Sequence, residues 1–263
     1  MSQDALLHSP LMPHLLIEGL NRHNDEPCLY LGDKVASYRD VRESTSQLVQ
    51  ALQSKGLGVG SRVAVISANR PEVLSNIAAM QIAGCVGTPL HPLGSLDDHA
   101  YVLEAAEIET LVFDPSTFED VAAALKARVP GLRNLLAFGP TDVGEDYLAL
   151  ADGFEPRPLV APDVDPEDVA SITFTGGTTG KPKGVMSPYR VTAYMTQIQL
   201  AEWEFPEELR MLIATPLSHA AAAFFIPVLQ KGGAFYVMQG FSPDDFFDAV
   251  REHRITCTML VPI

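Results

Sequence analysis

The chain has 263 residues, 47% of them hydrophobic and 19% charged, a composition that fits a core-rich globular protein and excludes a disordered one. Its 33 acidic and 18 basic residues leave a net charge of −15, which argues against nucleic acid as a partner, since binding a duplex needs clustered Lys and Arg. Three unclustered cysteines, Cys28, Cys85 and Cys257, fit neither a disulfide framework nor a metal site and make a reducing, cytoplasmic setting the default.

Residues 1–24 lack the basic start and continuous apolar core of a secretory signal. The spacing of apolar residues predicts an amphipathic helix over 10–23, then a hairpin of strands 28–31 and 35–38 turning at Gly32-Asp33. Ser37 and Asp40 form a capping pair for a helix that runs to Gly56. A short apolar strand over 62–66 follows. Asn69 is then expected to cap a helix with Pro71 in its first turn and Gly84 at its end. The alternation continues with strand 85–90, helix 95–107, strand 110–113, helix 116–128 and strand 134–138. His99, beside Asp97 and Asp98, reads as part of a helix start; neither it nor His91 has ligand-like spacing.

Residues 151–168 are rich in Pro and Asp and form the one obvious linker. The expected organisation is therefore an N-terminal α/β subdomain over 1–165 and a second α/β subdomain over 166–263. The second holds strand 169–174, helices over 188–201, 220–230 and 243–253, and strands 211–215, 234–238 and 256–261. Residues between Arg210 and Lys231 carry no charge, but Pro216, Ser218, His219 and Pro227 break them into strand, turn and helix, so no transmembrane segment is expected. Short apolar strands alternating with helices predict an α/β fold of parallel or mixed sheets layered with helices. Ligands in such sheets bind at the carboxyl ends of strands.

After strand 169–174 comes Thr175-Gly-Gly-Thr-Thr-Gly180-Lys-Pro-Lys-Gly184. Glycines let backbone N–H groups approach a ligand, successive bare N–H groups make an anion-binding concavity, and lysines add point charges suited to phosphate. Between Val169 and Ala201 there is no acidic residue, only Lys181, Lys183 and Arg190. A Walker-type loop would need Gly at 175 and a hydroxyl at 182; Thr175 and Pro182 stand there, so that reading fails.

The stretch resembles the phosphate-binding signature of the adenylate-forming superfamily, matching it at Phe174, Thr175, Gly177, Thr178, Thr179, Gly180, Pro182, Lys183, Gly184 and Val185. It departs at Gly176, where a small hydroxyl residue is usual. The resemblance, to the acyl-CoA synthetase branch, implies a ligase that joins a carboxylic acid to AMP from ATP with Mg2+ and then passes the acyl group to a thiol, most often coenzyme A. It implies that residues 175–183 grip the outer phosphates, with Thr175, Gly176, Gly177, Thr178, Thr179, Gly180, Lys181, Lys183 and Gly184 in contact, Thr178 helping to hold the metal and Lys183 catalytic. His219, in Thr215-Pro-Leu-Ser-His219, matches the family's Pro-x-x-His segment and would border the acid; a packing histidine is the competing reading. Alanines 220–223 leave room for an apolar group, and the absence of acidic residues between Glu208 and Asp244 disfavours a substrate ammonium, so a fatty or aryl acid is expected.

The family's later elements, among them its small C-terminal domain, are not in these residues. The resemblance thus implies an N-terminal portion, with little activity alone and an exposed sheet edge that favours a homo-oligomer. A non-catalytic nucleotide- or acyl-binding module, an amino-acid adenylation domain and an unrelated phosphotransferase stay open as alternatives.

Overall fold

The structure is a computed structural model, and it describes residues 9–175, 182–218 and 220–260. The chain opens with α1 (Met12–Arg22), the hairpin β1 (Pro27–Leu31) and β2 (Lys34–Ser37), and α2 (Tyr38–Ser54). Ser37 and Asp40 cap α2 reciprocally, as the sequence predicts. Then come β3 (Arg62–Ile66), α3 (Pro71–Ala83), β4 (Val86–Pro89), α4 (Leu96–Ala105), β5 (Thr110–Phe113), α5 (Pro115–Arg128) and β6 (Asn134–Ala137). A short β7 (Glu145–Asp146) and α6 (Tyr147–Asp152) precede the Pro-rich passage. Beyond it lie β8 (Val169–Thr175), β9 (Lys183–Pro188), α7 (Tyr189–Glu202), β10 (Arg210–Ile213), α8 (Phe225–Gln230), β11 (Ala234–Val237), α9 (Pro243–Glu252) and β12 (Cys257–Thr258).

These strands form two mixed sheets. One runs β12-β10-β11-β1-β2, the other β7-β6-β5-β3-β4-β8-β9. Only the β1–β2 and β8–β9 pairings are antiparallel among the described residues. Each sheet takes strands from both sides of the 151–168 passage.

Alternation along the strands sorts side chains onto two apolar faces, and helices must cover both. Val63, Val112 and Leu136 face a core shared with Leu16 and Leu20 of α1, Leu48 and Leu52 of α2, Leu74 of α3 and Leu229 of α8; Met211, Ile213 and Phe235 of the other sheet close it from the far side. Ala64, Ile66, Leu111 and Phe113 turn the opposite way, onto Leu103 of α4 and Leu125 of α5. Phe246 of α9 covers Leu212 and Tyr236 on the outside of the other sheet. The result is helices, sheet, helices, sheet, helix. Burying a side chain such as Phe113, with 0% exposure, contributes about 2 kcal/mol.

Four expectations are corrected. Asn69 does not cap α3: Arg70 holds the cap position without a side-chain bond, and the Asn69 amide reaches Thr215 and Leu217 instead. The glycine-rich loop leads into a strand, β9, before the helix at 189 begins. The helix expected from 220 opens as a 3-10 turn, Ala220–Phe224, because α8 starts only at Phe225. The last strand pairs only over Cys257–Thr258, against Met211 and Leu212. The charge-free stretch divides between β10, the 3-10 turn and α8, and among the described residues no helix is long and apolar enough to cross a membrane.

Candidate functional site

The carboxyl ends of β4 and β8 lie side by side, in parallel register through Gly87 and Ser171. Beyond them opens a cavity of about 240 Å³. The exit of β4 supplies Leu90 and His91, the first turns of α4 supply His99 and Val102, and the end of β8 supplies Thr173 and Phe174. Pro182, at the entry to β9, and Ser218, in the segment after β10, complete the wall. The two stretches that the sequence singles out thus come to one place: the flanks of the glycine-rich loop, and the residue before His219.

The β8–β9 hairpin frames the loop. Thr175 stands opposite Lys183 and Phe174 opposite Gly184, and the Thr175 hydroxyl donates to the Lys183 carbonyl at 3.5 Å. A Cβ on Gly184 would lie 3.0 Å from Ile172 Cγ2 and 3.1 Å from Phe174 Cζ, so glycine is what lets the Phe174 ring lie across β9. That ring also meets Tyr101 edge-on, with centroids 6.3 Å apart. Lys183 is exposed and has no ion-pair partner among the described residues. Arg190, counted above with the loop's cations, is paired with Glu167, so it is not available to a ligand as Lys183 is. Residues 176–181, which include Gly176, Gly177, Thr178, Thr179, Gly180 and Lys181, lie outside the described residues, and so does His219.

Two histidines read as ordinary polar positions line the cavity instead. His99 is only 3% exposed. Burial pushes its imidazole below the ordinary value, against the pull of the Asp98 carboxylate; nearby His91 lowers it further, and a Gly94 backbone hydrogen bond raises it. A Cβ on Gly94 would come within 2.6 Å of His99 Cε1, so this turn closes over the ring only because residue 94 is glycine. His91 accepts from the Leu93 backbone N–H at 3.0 Å. Asp98 caps α4 through Ser95, whose hydroxyl donates to it at 2.6 Å, and that bond holds its carboxyl below the usual range. Sequence spacing carries no sign of which way a histidine in a first helical turn points. The available signal was Gly94 five residues before His99, a small residue where the chain doubles back.

Aromatic and aliphatic walls, an imidazole that burial holds toward its neutral form and the Asp98 carboxylate line the cavity, and the exposed Lys183 stands on the adjoining acid-free hairpin. The family model described as AMP-binding enzyme matches residues 17–263. A medium/long-chain-fatty-acid–CoA ligase of Mycobacterium tuberculosis, FadD8, is 47% identical over 98% of this chain and 46% of its own length. A feruloyl-CoA synthase of an Amycolatopsis species is 32% identical over 88% of the chain and 44% of its own length. The apo structure of MbtA from Mycobacterium smegmatis superposes with a TM-score of 0.88 at 23% identity, over 97% of this chain and 49% of that one, a likeness of fold. The chain spans about half the length of the curated relatives it matches. On the strength of the match over residues 17–263, the chain belongs to the AMP-binding enzyme family and corresponds to an N-terminal portion of its acyl-CoA ligase members.

Proposed function

We propose that this chain carries the acid- and phosphate-binding part of an AMP-forming acyl-CoA synthetase that activates an apolar fatty or aryl carboxylic acid. The observation that carries the reading is the convergence of Phe174, Pro182 and Ser218 on one cavity. In the proposed reaction a carboxylate oxygen attacks the α-phosphorus of ATP and the bond to pyrophosphate breaks, giving an acyl-adenylate; the thiol of coenzyme A, losing its proton, then attacks the acyl carbon and the acyl–phosphate bond breaks to release AMP. Carboxylate and triphosphate repel each other, so the protein must supply fixed positive charge and N–H donors where charge develops on the leaving pyrophosphate. Thr175, Gly176, Gly177, Thr178, Thr179, Gly180, Lys181, Lys183 and Gly184 are proposed as that grip; the described members fit it, because Lys183 is exposed and no carboxylate stands in the hairpin. Mg2+ supplies further charge neutralisation when bound, with Thr178 as the proposed ligand. His219, next to Ser218, is proposed to border the acid.

The names of the two relatives, a fatty-acid ligase and a feruloyl ligase, support an apolar acid. Free, buried Cys28 and Cys85 support a cytoplasmic setting. β9 ends its sheet with Val185 and Met186 half or more exposed; such an edge favours pairing with another copy, and light scattering that shows a stable monomer would count against this. The chain alone is expected to turn over slowly, so binding is the first test. Calorimetry should detect MgATP and, separately, dodecanoate, with an amino acid giving no heat. Slow ATP–pyrophosphate exchange stimulated by dodecanoate is the expected chemistry; formation of ADP would mean a phosphotransferase.

A further inference from the structure

The segment leading to His219 is held by a residue from the other sheet. Asn69 follows β3 and is buried, 8% exposed. Its Nδ2 donates to the Thr215 carbonyl at 3.0 Å, and its Oδ1 accepts from the Leu217 backbone N–H at 2.9 Å. A residue in a parallel ladder bonds the carbonyl before and the N–H after the residue it faces. Asn69 reproduces that pattern with its side-chain amide, and the residue it faces is Pro216, which has no N–H of its own to leave unsatisfied. An amide is the side-chain group that offers one acceptor and donors on a single fork.

We infer that Asn69 is a positioning residue, which fixes residues 215–218 at the mouth of the cavity so that Ser218 is held in the wall that meets the bound acid. Leu217 itself is buried, at 4% exposure, so its N–H depends on the Asn69 acceptor in place of water. The amide pair also joins the exits of two interior strands, β3 and β10, which belong to different sheets. A shift of either sheet therefore moves this wall of the cavity with it. The role toward the acid rests on the function proposed above; the hold on the loop does not.

The test uses the full chain with Asn69→Leu and Asn69→Asp. Amide hydrogen exchange reports the hold directly. Asn69→Leu should speed exchange at Leu217 roughly ten- to hundredfold, as expected for a lost buried hydrogen bond, whereas Asn69→Asp keeps the acceptor and should preserve that protection. Calorimetry reports the role: Asn69→Leu should weaken dodecanoate binding at least about fivefold and leave MgATP affinity within about twofold. Unchanged protection of Leu217 in Asn69→Leu overturns the inference, and so does faster exchange with unaltered dodecanoate affinity. If the unsubstituted chain takes up no dodecanoate, the proposed function falls, and exchange at Leu217 still decides whether Asn69 holds the loop.

Discussion

Along one edge of the larger sheet, two places invite a ligand, and only one is left open. The first is the gap between β3 and β5, where the chain reverses direction: β3 leads on to its neighbour β4, and β5 leads away on the other side to β6. Ligands in doubly wound sheets bind at such a switch point. Here the protein fills it with its own side chains. Arg70 pairs with Asp114 at 3.0 Å, takes Glu72 on its other edge at 3.0 and 3.2 Å, and lies 5.5 Å from the centre of the Phe138 ring. Burial opposes the charge on Glu72, yet the Arg70 hydrogen bonds still hold its carboxyl below the usual value. The second place, two strands over between β4 and β8, has few charges and an open volume. Topology offers crevices; the side chains at the strand ends decide which becomes a site. A filled crevice should answer substitution with lost stability, an open one with lost binding.

Asp114→Ala should show the largest effect. It strands the Arg70 guanidinium with Glu72 alone and removes the bond from the Ser116 N–H to Asp114, which caps α5. Breaking a half-buried pair and a cap together should cost about 3 kcal/mol, read as a lower urea midpoint. Asp114→Asn, which keeps an oxygen acceptor for both the Ser116 N–H and Arg70, should lose distinctly less. If Asp114→Ala instead weakened MgATP binding at unchanged stability, the switch point would be a ligand site and the contrast would fail.

Gly94→Val tests the open side. Its Cβ meets the buried His99 ring at 2.6 Å, so the turn or the ring must move, at about 1–3 kcal/mol. The displaced imidazole would enter the cavity, and dodecanoate affinity should drop in the same variant. Lys183→Ala should be milder for the fold, within about 0.5 kcal/mol, since an exposed lysine with no ion pair among the described residues carries little stability. It should still weaken MgATP about tenfold, the loss of one charge-assisted phosphate contact. Stability lost without any change in MgATP affinity would move Lys183 out of the site.

The contrast also explains what the sequence could disclose. β3 and β5 were legible to the residue, over Arg62–Ile66 and Thr110–Phe113, because a strand covered on both faces must be apolar throughout. The family was legible from the glycine-rich stretch, whose residue order has few other physical uses. β9 was not, since Lys183-Gly-Val-Met-Ser-Pro188 is a largely exposed edge strand and shows neither a two-residue period nor a continuous apolar run. The cavity wall was legible only in part. Phe174, Pro182 and Ser218 lie beside the motifs, whereas His91 and His99 arrive through the β4–α4 connection, far from either in the chain. Asn69 looked like a helix cap because Asn is among the favoured N-cap residues and Pro71 two positions on suits a first helical turn. The competing demand, two backbone groups of a loop nearly 150 positions later, leaves no mark near residue 69.

The smallest expected effect separates the cavity from the filled crevice by pH. His99 keeps a folded-state value below 6.5, with burial the main cause, while the unfolded chain has the ordinary value near 6.5. Between the two, the unfolded state holds a proton that the folded state lacks. Stability is therefore complete above about pH 6.5 and declines as pH falls through that window. Glu72 and Asp98 are both depressed carboxylates, so their contributions are present above the unfolded carboxylate values and disappear only at lower pH. Melting temperature should accordingly fall modestly from pH 7.5 to 5.5 in the unsubstituted chain and stay flatter in His99→Gln, which keeps a polar group of similar reach. Equal slopes in the two proteins would mean that the imidazole is not buried against the cavity wall, and the neutral, apolar character assigned to the open site would have to be given up.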